Sequence, residues 1–187
     1  AFLLLVLLEL MVAMVPAQSN KSVASGSQRT VFATYPSALG ISMSPVENVS
    51  LSWKNLFDRI GVEVGVGGFW DPASTTGPIY WYSVNGALSY RLLAEDFASW
   101  IAGGLDLVAF AGYRGEDGYE AVFNEDDYSF TYVRTGYRPY LFFGAGIGIE
   151  TVLFKHFSQE VQFLYLGQFL HNPGIRFGVN FAYRYRF

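Results

Sequence analysis

Residues 175–187 read IRFGVNFAYRYRF, and this stretch indicates the fold of the whole chain. Large apolar or aromatic residues occupy its odd positions: Ile175, Phe177, Val179, Phe181, Tyr183, Tyr185 and Phe187. Small, polar or charged residues occupy its even positions: Arg176, Gly178, Asn180, Ala182, Arg184 and Arg186. Because successive side chains of a strand point to opposite faces, the segment predicts a strand with one apolar and one cationic face. Its thirteen residues exceed the about 9–11 that a tilted strand needs to cross a bilayer core.

The composition fits strands better than membrane helices. The chain has 187 residues, of which 51% are hydrophobic and 18% aromatic, and 20 glycines interrupt the apolar positions. Beyond the N-terminus no apolar run approaches the ~20 residues of a spanning helix. Cysteine is absent, which excludes a disulfide framework and a lipidated N-terminal cysteine. A net charge of -4 without a basic stripe argues against nucleic acid as a partner.

The N-terminal residues predict a secretory signal. Residues 2–15 are apolar except for Glu9, and small residues follow them. We expect residues 1–17 to be the end of a signal peptide that begins upstream, because no basic segment precedes the apolar run. A retained membrane anchor is the alternative, but the run is shorter than the ~20 residues of a span. Residues 18–29, rich in Ser, predict a flexible segment, and residues 30–187 the barrel domain.

Alternation of apolar and polar residues recurs along the chain and predicts eight strands. We place them at residues 30–43, 49–56, 60–69, 79–92, 97–113, 129–153, 157–169 and 175–187. Short turns are expected at 58–59, 94–96 and 155–156, longer connections at 71–78 and 114–127, and a break within the sixth strand near 136–139. An even strand number, with short turns on one side and longer loops on the other, is typical of single-chain transmembrane barrels.

The pattern resembles that of small eight-stranded bacterial outer-membrane β-barrels of the OmpX-like and opacity-protein-like families. The series Phe181, Tyr183, Tyr185 and Phe187 is similar to the C-terminal signal that barrel-assembly machinery reads in such proteins. The resemblance implies an all-β, eight-stranded antiparallel up-and-down transmembrane β-barrel in the outer membrane, in contact with lipid and lipopolysaccharide. It also implies the lack of a wide channel and a role in adhesion, surface recognition or envelope integrity. Pro36 in the first strand, and the absence of a long Tyr-rich protruding hairpin, depart from these families.

Nine charged residues are predicted on the inward face of the barrel. The positive ones are Lys54, Arg91, Arg176, Arg184 and Arg186, and the negative ones are Glu63, Asp106, Glu150 and Glu160. Because an eight-stranded barrel is just wide enough for side chains to fill it, these charges should pair and close the lumen. A narrow pore or a small-solute transporter is the alternative role for the same set.

The predicted loop at residues 114–127 is the candidate recognition loop. Its acidic residues are Glu116, Asp117, Glu120, Glu125, Asp126 and Asp127. Binding residues concentrate on loops held by a rigid scaffold, so an extracellular partner is expected to bind here. The spacing of these acids does not match a calcium loop, and no metal or cofactor is predicted.

No catalytic residue is predicted, and we expect the protein not to be an enzyme. The two histidines, His156 and His171, fall near turns on opposite sides of the predicted barrel. A lipid A-modifying enzyme is a weaker alternative, since His171 has no neighbouring serine. A secreted, lipocalin-like binding barrel is another, and it would require the apolar faces to point inward.

Overall fold

The computed structural model describes residues 30–44, 48–71, 79–124 and 128–187. A four-residue helical turn, α1 (Val31–Thr34), comes first. The strands are β1 (Ser37–Ser44), β2 (Asn48–Phe57), β3 (Ile60–Asp71), β4 (Ile79–Ala98), β5 (Ile101–Asn124), β6 (Ser129–Leu153), β7 (Phe157–Leu170) and β8 (Gly174–Arg186). The predicted signal peptide at 1–17 and flexible segment at 18–29 lie outside the described residues, as does most of the connection predicted at 71–78.

The eight strands form a closed barrel. Each strand pairs antiparallel with the next, and β1 pairs with β8 from Ala38–Arg186 to Met43–Phe181. Closure gives every strand of the barrel wall two partners, so the wall has no free edge. The predicted all-β, eight-stranded, up-and-down topology is confirmed.

The barrel wall is apolar outside and polar inside. Leu39 and Ile41 on β1 and Tyr185 on β8 are exposed, whereas Arg184 and Arg186, on either side of Tyr185, are buried. This polarity is that of a barrel surrounded by lipid, in which only outward side chains meet the hydrocarbon. A lipocalin-like soluble barrel needs the reverse arrangement. Within the described part of the chain, no helix is long and apolar enough to cross a membrane.

Three predicted boundaries at one end of the barrel are wrong, and one of them is the start of the fifth strand, which lies at Ile101 and not at residue 97. The first strand begins at Ser37, because residues 31–34 form α1 and Pro36 follows it. The turn predicted at 94–96 is strand, since β4 continues to Ala98 through two register shifts against β5. Asp96 looks like a turn residue in the sequence, but its carboxylate accepts the backbone N–H of Val31. We call this end, which also carries β8's last residues, the terminal end.

The predicted acidic loop at 114–127 is also largely wrong. β5 runs to Asn124, and its residues 114–124 pair with residues 129–140 of β6. Pairing of β4 with β5 stops at Trp81–Glu116, and pairing of β6 with β7 begins at Tyr140–Leu170. Residues 117–124 and 128–139 therefore extend beyond the barrel wall as a two-stranded hairpin, which we call the ribbon. The expected absence of a long protruding hairpin is thus wrong as well.

The break predicted near residues 136–139 corresponds to a β-bulge in the ribbon. The register shifts between Gly118 and Tyr119, which leaves Thr135 as an extra residue in β6. Gly136 beside it has a φ of +96°, a conformation that glycine adopts without steric cost.

Candidate functional site

Eight charged side chains meet inside the barrel and form what we call the ionic layer. They come from β2 to β8 and are Lys54, Glu63, Arg91, Asp106, Glu150, Glu160, Arg184 and Arg186. All of them are buried. Four are positive and four are negative, so the layer as a whole is neutral.

Lys54 lies at the centre of this layer, with only 1% of its side chain exposed. Its Nζ donates to Glu160 at 2.9 Å and to Asp106 and Glu150 at 3.3 Å each. Glu150 and Glu160 stand directly opposite each other on β6 and β7, a pairing that repels unless a cation lies between them. Lys54 reaches across the lumen to supply that cation.

Three arginines complete the neutralisation. Arg91 binds Asp106 with two parallel hydrogen bonds of 2.6 and 2.8 Å and Glu150 with a third of 2.6 Å. Arg186 donates to Glu150 Oε1 at 3.0 and 2.5 Å. Arg184 donates to Glu160 at 2.6 Å and also pairs with Glu63. Such charge-assisted, forked bonds hold each guanidinium in one orientation.

A layer of apolar side chains covers the ionic layer on the side of the ribbon. It consists of Ala87, Val108, Phe110, Phe142, Leu164 and Leu166, with Tyr140 packed against it. We call it the ribbon-side apolar layer. The alternation of residue types did not predict this layer, because large residues were expected only on the outward face. A signal was present in residues 163–166, FLYL, since an unbroken apolar run indicates a strand that is covered on both faces.

A second apolar layer covers the ionic layer at the terminal end. It consists of Phe32, Leu56, Ala102 and Val152, with Val31 packed against it. Phe32 projects from α1 into the barrel, where it is 1% exposed. Its ring centroid lies 4.0 Å from Arg91 Cζ and 5.0 Å from Arg186 Cζ, within cation–π range. Arg186 also donates to the carbonyl oxygen of Tyr35 at 2.8 Å, which ties α1 to the ionic layer.

The remaining predicted site residues lie elsewhere. Arg176 is exposed on β8 and does not join the ionic layer. Of the C-terminal series, Tyr185 is exposed on the outside and stacks on His156 with ring centroids 5.1 Å apart. Tyr183 and Phe187 are exposed too, and Phe181 is half-buried.

The predicted recognition residues are distributed along the ribbon and its base. Glu116 pairs with Arg114, and Asp117 with Arg134 at 2.5 Å. Glu120 belongs to β5 by backbone pairing with Val133. The other predicted residues of this group, Glu125, Asp126 and Asp127, lie outside the described residues.

The two histidines occupy opposite ends of β7. His156 lies in the turn before β7, and His171 follows the strand, where its ring packs edge-on against Tyr140 at 5.4 Å. The described residues contain no group of three or more His, Cys, Asp or Glu side chains placed to hold a metal ion.

A closed barrel with an apolar exterior and a neutral, buried ionic layer defines the chain as an eight-stranded transmembrane β-barrel. This class follows from the strand pairing and the burial pattern of the chain itself.

Comparison with solved structures finds similarity to two barrel proteins. The N-terminal β-barrel domain of OprF from Pseudomonas aeruginosa is 14% identical and matches 81% of this chain and 95% of that one, with a TM-score of 0.43. Ail, the attachment invasion locus protein of Yersinia pestis, is 13% identical over 81% of this chain and 94% of that one, with a TM-score of 0.37. No protein-family model matches the chain, and no curated protein matches it significantly.

Proposed function

We propose that the protein is an integral barrel of the bacterial outer membrane that does not conduct solutes and that acts at the cell surface through the ribbon. Its role is structural or adhesive, and it is not an enzyme. The observation that carries this proposal is the three-layered interior, in which a neutral ionic layer lies between two apolar layers.

The interior supports a closed lumen for an energetic reason. An ion that crossed the barrel would have to pass Phe32 at one side and Phe110, Phe142 and Leu166 at the other, and these apolar side chains cannot replace the water of its hydration shell. Within the ionic layer each carboxylate already has a cation at hydrogen-bonding distance. A pore role would need mobile charges and continuous water, and this arrangement favours neither.

The ribbon supports a role at the surface. It is the part of the described chain that leaves the barrel wall, and its strands pair only with each other beyond Glu116 and Tyr140. Outer-membrane barrels place their longer connections outside the cell, so the ribbon is expected to be extracellular. The terminal end, with its short turns, then faces the periplasm.

Conductance in planar bilayers tests the closed lumen. The purified barrel should give no steady single-channel steps, because the ionic layer and both apolar layers fill its interior. Steps from the wild-type barrel would support the narrow-pore alternative instead.

Fractionation of expressing cells tests the location. The protein should be recovered with outer membranes and should migrate faster on gels before heating than after it. Recovery as a soluble protein would contradict the proposal.

For the surface role, residues 119–135 are replaced by a two-residue Asn-Gly turn, which keeps the Gly118–Gly136 pair. Cells carrying this variant should lose the adhesion or envelope phenotype while the barrel is still assembled.

A further inference from the structure

The ribbon continues the outward face of the barrel beyond the membrane. In the wall part of β5, residues 101–113, the odd positions, such as Leu107, are exposed or half-buried and the even ones are buried, and Phe123 continues the odd series. Phe123 stands directly opposite Phe130, so the two side chains share one face of the ribbon. In the wall below, the outward residues of β6 are odd-numbered, such as Phe143 and Ile147. The extra residue at Thr135 exchanges the faces of β6, and this bulge places Phe130 outside.

Three aromatic rings cluster on this face at the tip of the ribbon. Phe123 lies 5.1 Å from Phe130 and 6.2 Å from Tyr128, measured between ring centroids. The exposed fractions are 47% for Phe123, 64% for Phe130 and 83% for Tyr128. We call these three residues the tip cluster. Grouped exposed aromatic rings mark an interaction surface, whereas single ones do not.

The tip cluster lies well above the level that phospholipids reach. Tyr82, Tyr113 and Tyr137 mark the outer interface, where their hydroxyl groups are joined by hydrogen bonds of 2.6 and 2.5 Å. Phe123 is ten residues beyond Tyr113 on the same strand. At about 3.3 Å per residue and a tilt of about 40°, this distance is roughly 25 Å along the membrane normal. A phospholipid headgroup layer is only about 5–8 Å thick.

We propose that the tip cluster stacks on the sugar rings of glycolipid headgroups in the outer leaflet of the same membrane. The inference rests on the proposed outer-membrane location, and it names the partner of the ribbon. The tip cluster points sideways, as the lipid-facing residues below it do, so it faces the headgroups of neighbouring lipids. Only a headgroup built of several sugars extends to this height.

The chemistry of the cluster selects sugars over phosphates. Aromatic faces carry negative potential and attract the weakly positive C–H groups of a sugar ring. Residues 118–133 contain no Lys or Arg, so the sequence around the tip cluster supplies no cationic side chain to bind a phosphate group. Uncharged sugar rings are therefore the expected contact.

Titration of the purified barrel in detergent micelles with deacylated lipopolysaccharide, followed by NMR, tests the proposal. The wild-type barrel should bind this saccharide saturably, and Phe123→Ala/Phe130→Ala should weaken binding about tenfold, because two stacking contacts are lost. Phe57→Ala/Phe154→Ala is the matched control, since it removes two exposed rings near the terminal end and should leave the affinity unchanged. Phe123→Trp/Phe130→Trp should retain binding.

Several outcomes overturn the proposal. Absence of saturable binding by the wild-type barrel is one, and equal affinity of the Phe123→Ala/Phe130→Ala variant is another. Loss of binding when the saccharide is dephosphorylated would show that phosphate is recognised instead of sugar. Heat-modifiable mobility verifies that each variant is folded. Because the titration uses purified protein, its failure is distinguishable from a failure of the outer-membrane location, which fractionation measures separately.

Discussion

Replacing Lys54 by methionine removes the cation at the centre of the ionic layer. Methionine has a similar length, so the change removes charge and hydrogen bonds and leaves most of the volume. Three carboxylates lose a contact of 2.9 to 3.3 Å, and the layer, previously neutral, acquires one uncompensated negative charge. Removing one partner of a buried ion pair costs about 3–5 kcal/mol.

The remaining contacts place the expected loss near the lower limit of this range. Asp106 keeps Arg91, Glu150 keeps Arg91 and Arg186, and Glu160 keeps Arg184. We therefore expect Lys54→Met to lower the free energy of unfolding by about 3 kcal/mol. Urea unfolding of the barrel refolded in phospholipid vesicles, followed by tryptophan fluorescence, measures it.

A charge-balanced variant separates electrostatics from packing. Lys54→Met combined with Glu160→Gln restores neutrality and keeps the shape of both side chains. The double variant should lose less unfolding free energy than the two single variants lose together, with a coupling energy of about 2 kcal/mol. An additive cycle, or a Lys54→Met barrel within about 1 kcal/mol of wild type, would refute the view that charge balance holds the interior together.

The packing of α1, a tightly packed glycine and the C-terminal ring can each be tested by one substitution. Phe32→Ala should lower the free energy of unfolding by about 3 kcal/mol, because a buried ring is lost. Phe154→Ala is the control and should change this free energy little, since the Phe154 ring is exposed in a turn. Equal effects of the two substitutions in urea titrations would count against a packed α1. Gly146→Ala should lower the free energy of unfolding by about 2 kcal/mol or more, because the added Cβ would lie 1.8 Å from the carbonyl oxygen of Phe163. Gly174→Ala is the control and should keep the wild-type stability, since Gly174 has open space around it. Phe187→Ala should leave refolding in detergent intact, because the backbone of Phe187 pairs with Ser37 and its ring is exposed. The same substitution should reduce the amount of barrel that is assembled in cells. Normal assembly in cells would exclude this ring as a recognition signal.

The strands that the sequence located well are those whose two faces meet different surroundings. In β8 the outward residues meet lipid and the inward ones meet the ionic layer, so apolar and polar residues alternate. The same contrast in β2 and β3 brought Lys54 and Glu63 to the correct face. Alternation therefore predicted the barrel and most of the charged residues inside it.

Other features had no such contrast. Val108, Phe142 and Leu164 face an apolar interior, so both faces of their strands are apolar and the ribbon-side apolar layer has no period in the sequence. Both faces of the ribbon lie outside the barrel wall, so nothing requires its residues to alternate between apolar and polar. Its acidic residues are typical of a loop. Phe32 is a single aromatic residue ahead of the first strand. It is buried only because the strands form a barrel whose end it enters, so its local sequence does not predict its burial.

Site-directed spin labelling tests the orientation of the wall, on which the membrane assignment depends. The chain has no cysteine, so Ile147→Cys and Ser52→Cys each introduce a single labelling site. Ile147 is 44% exposed on the outside and Ser52 is 0% exposed inside. In vesicles, the label at 147 should be relaxed strongly by oxygen and weakly by a water-soluble nickel chelate, and the label at 52 should be shielded from both. Strong relaxation of the label at 147 by the nickel chelate would contradict a barrel surrounded by lipid.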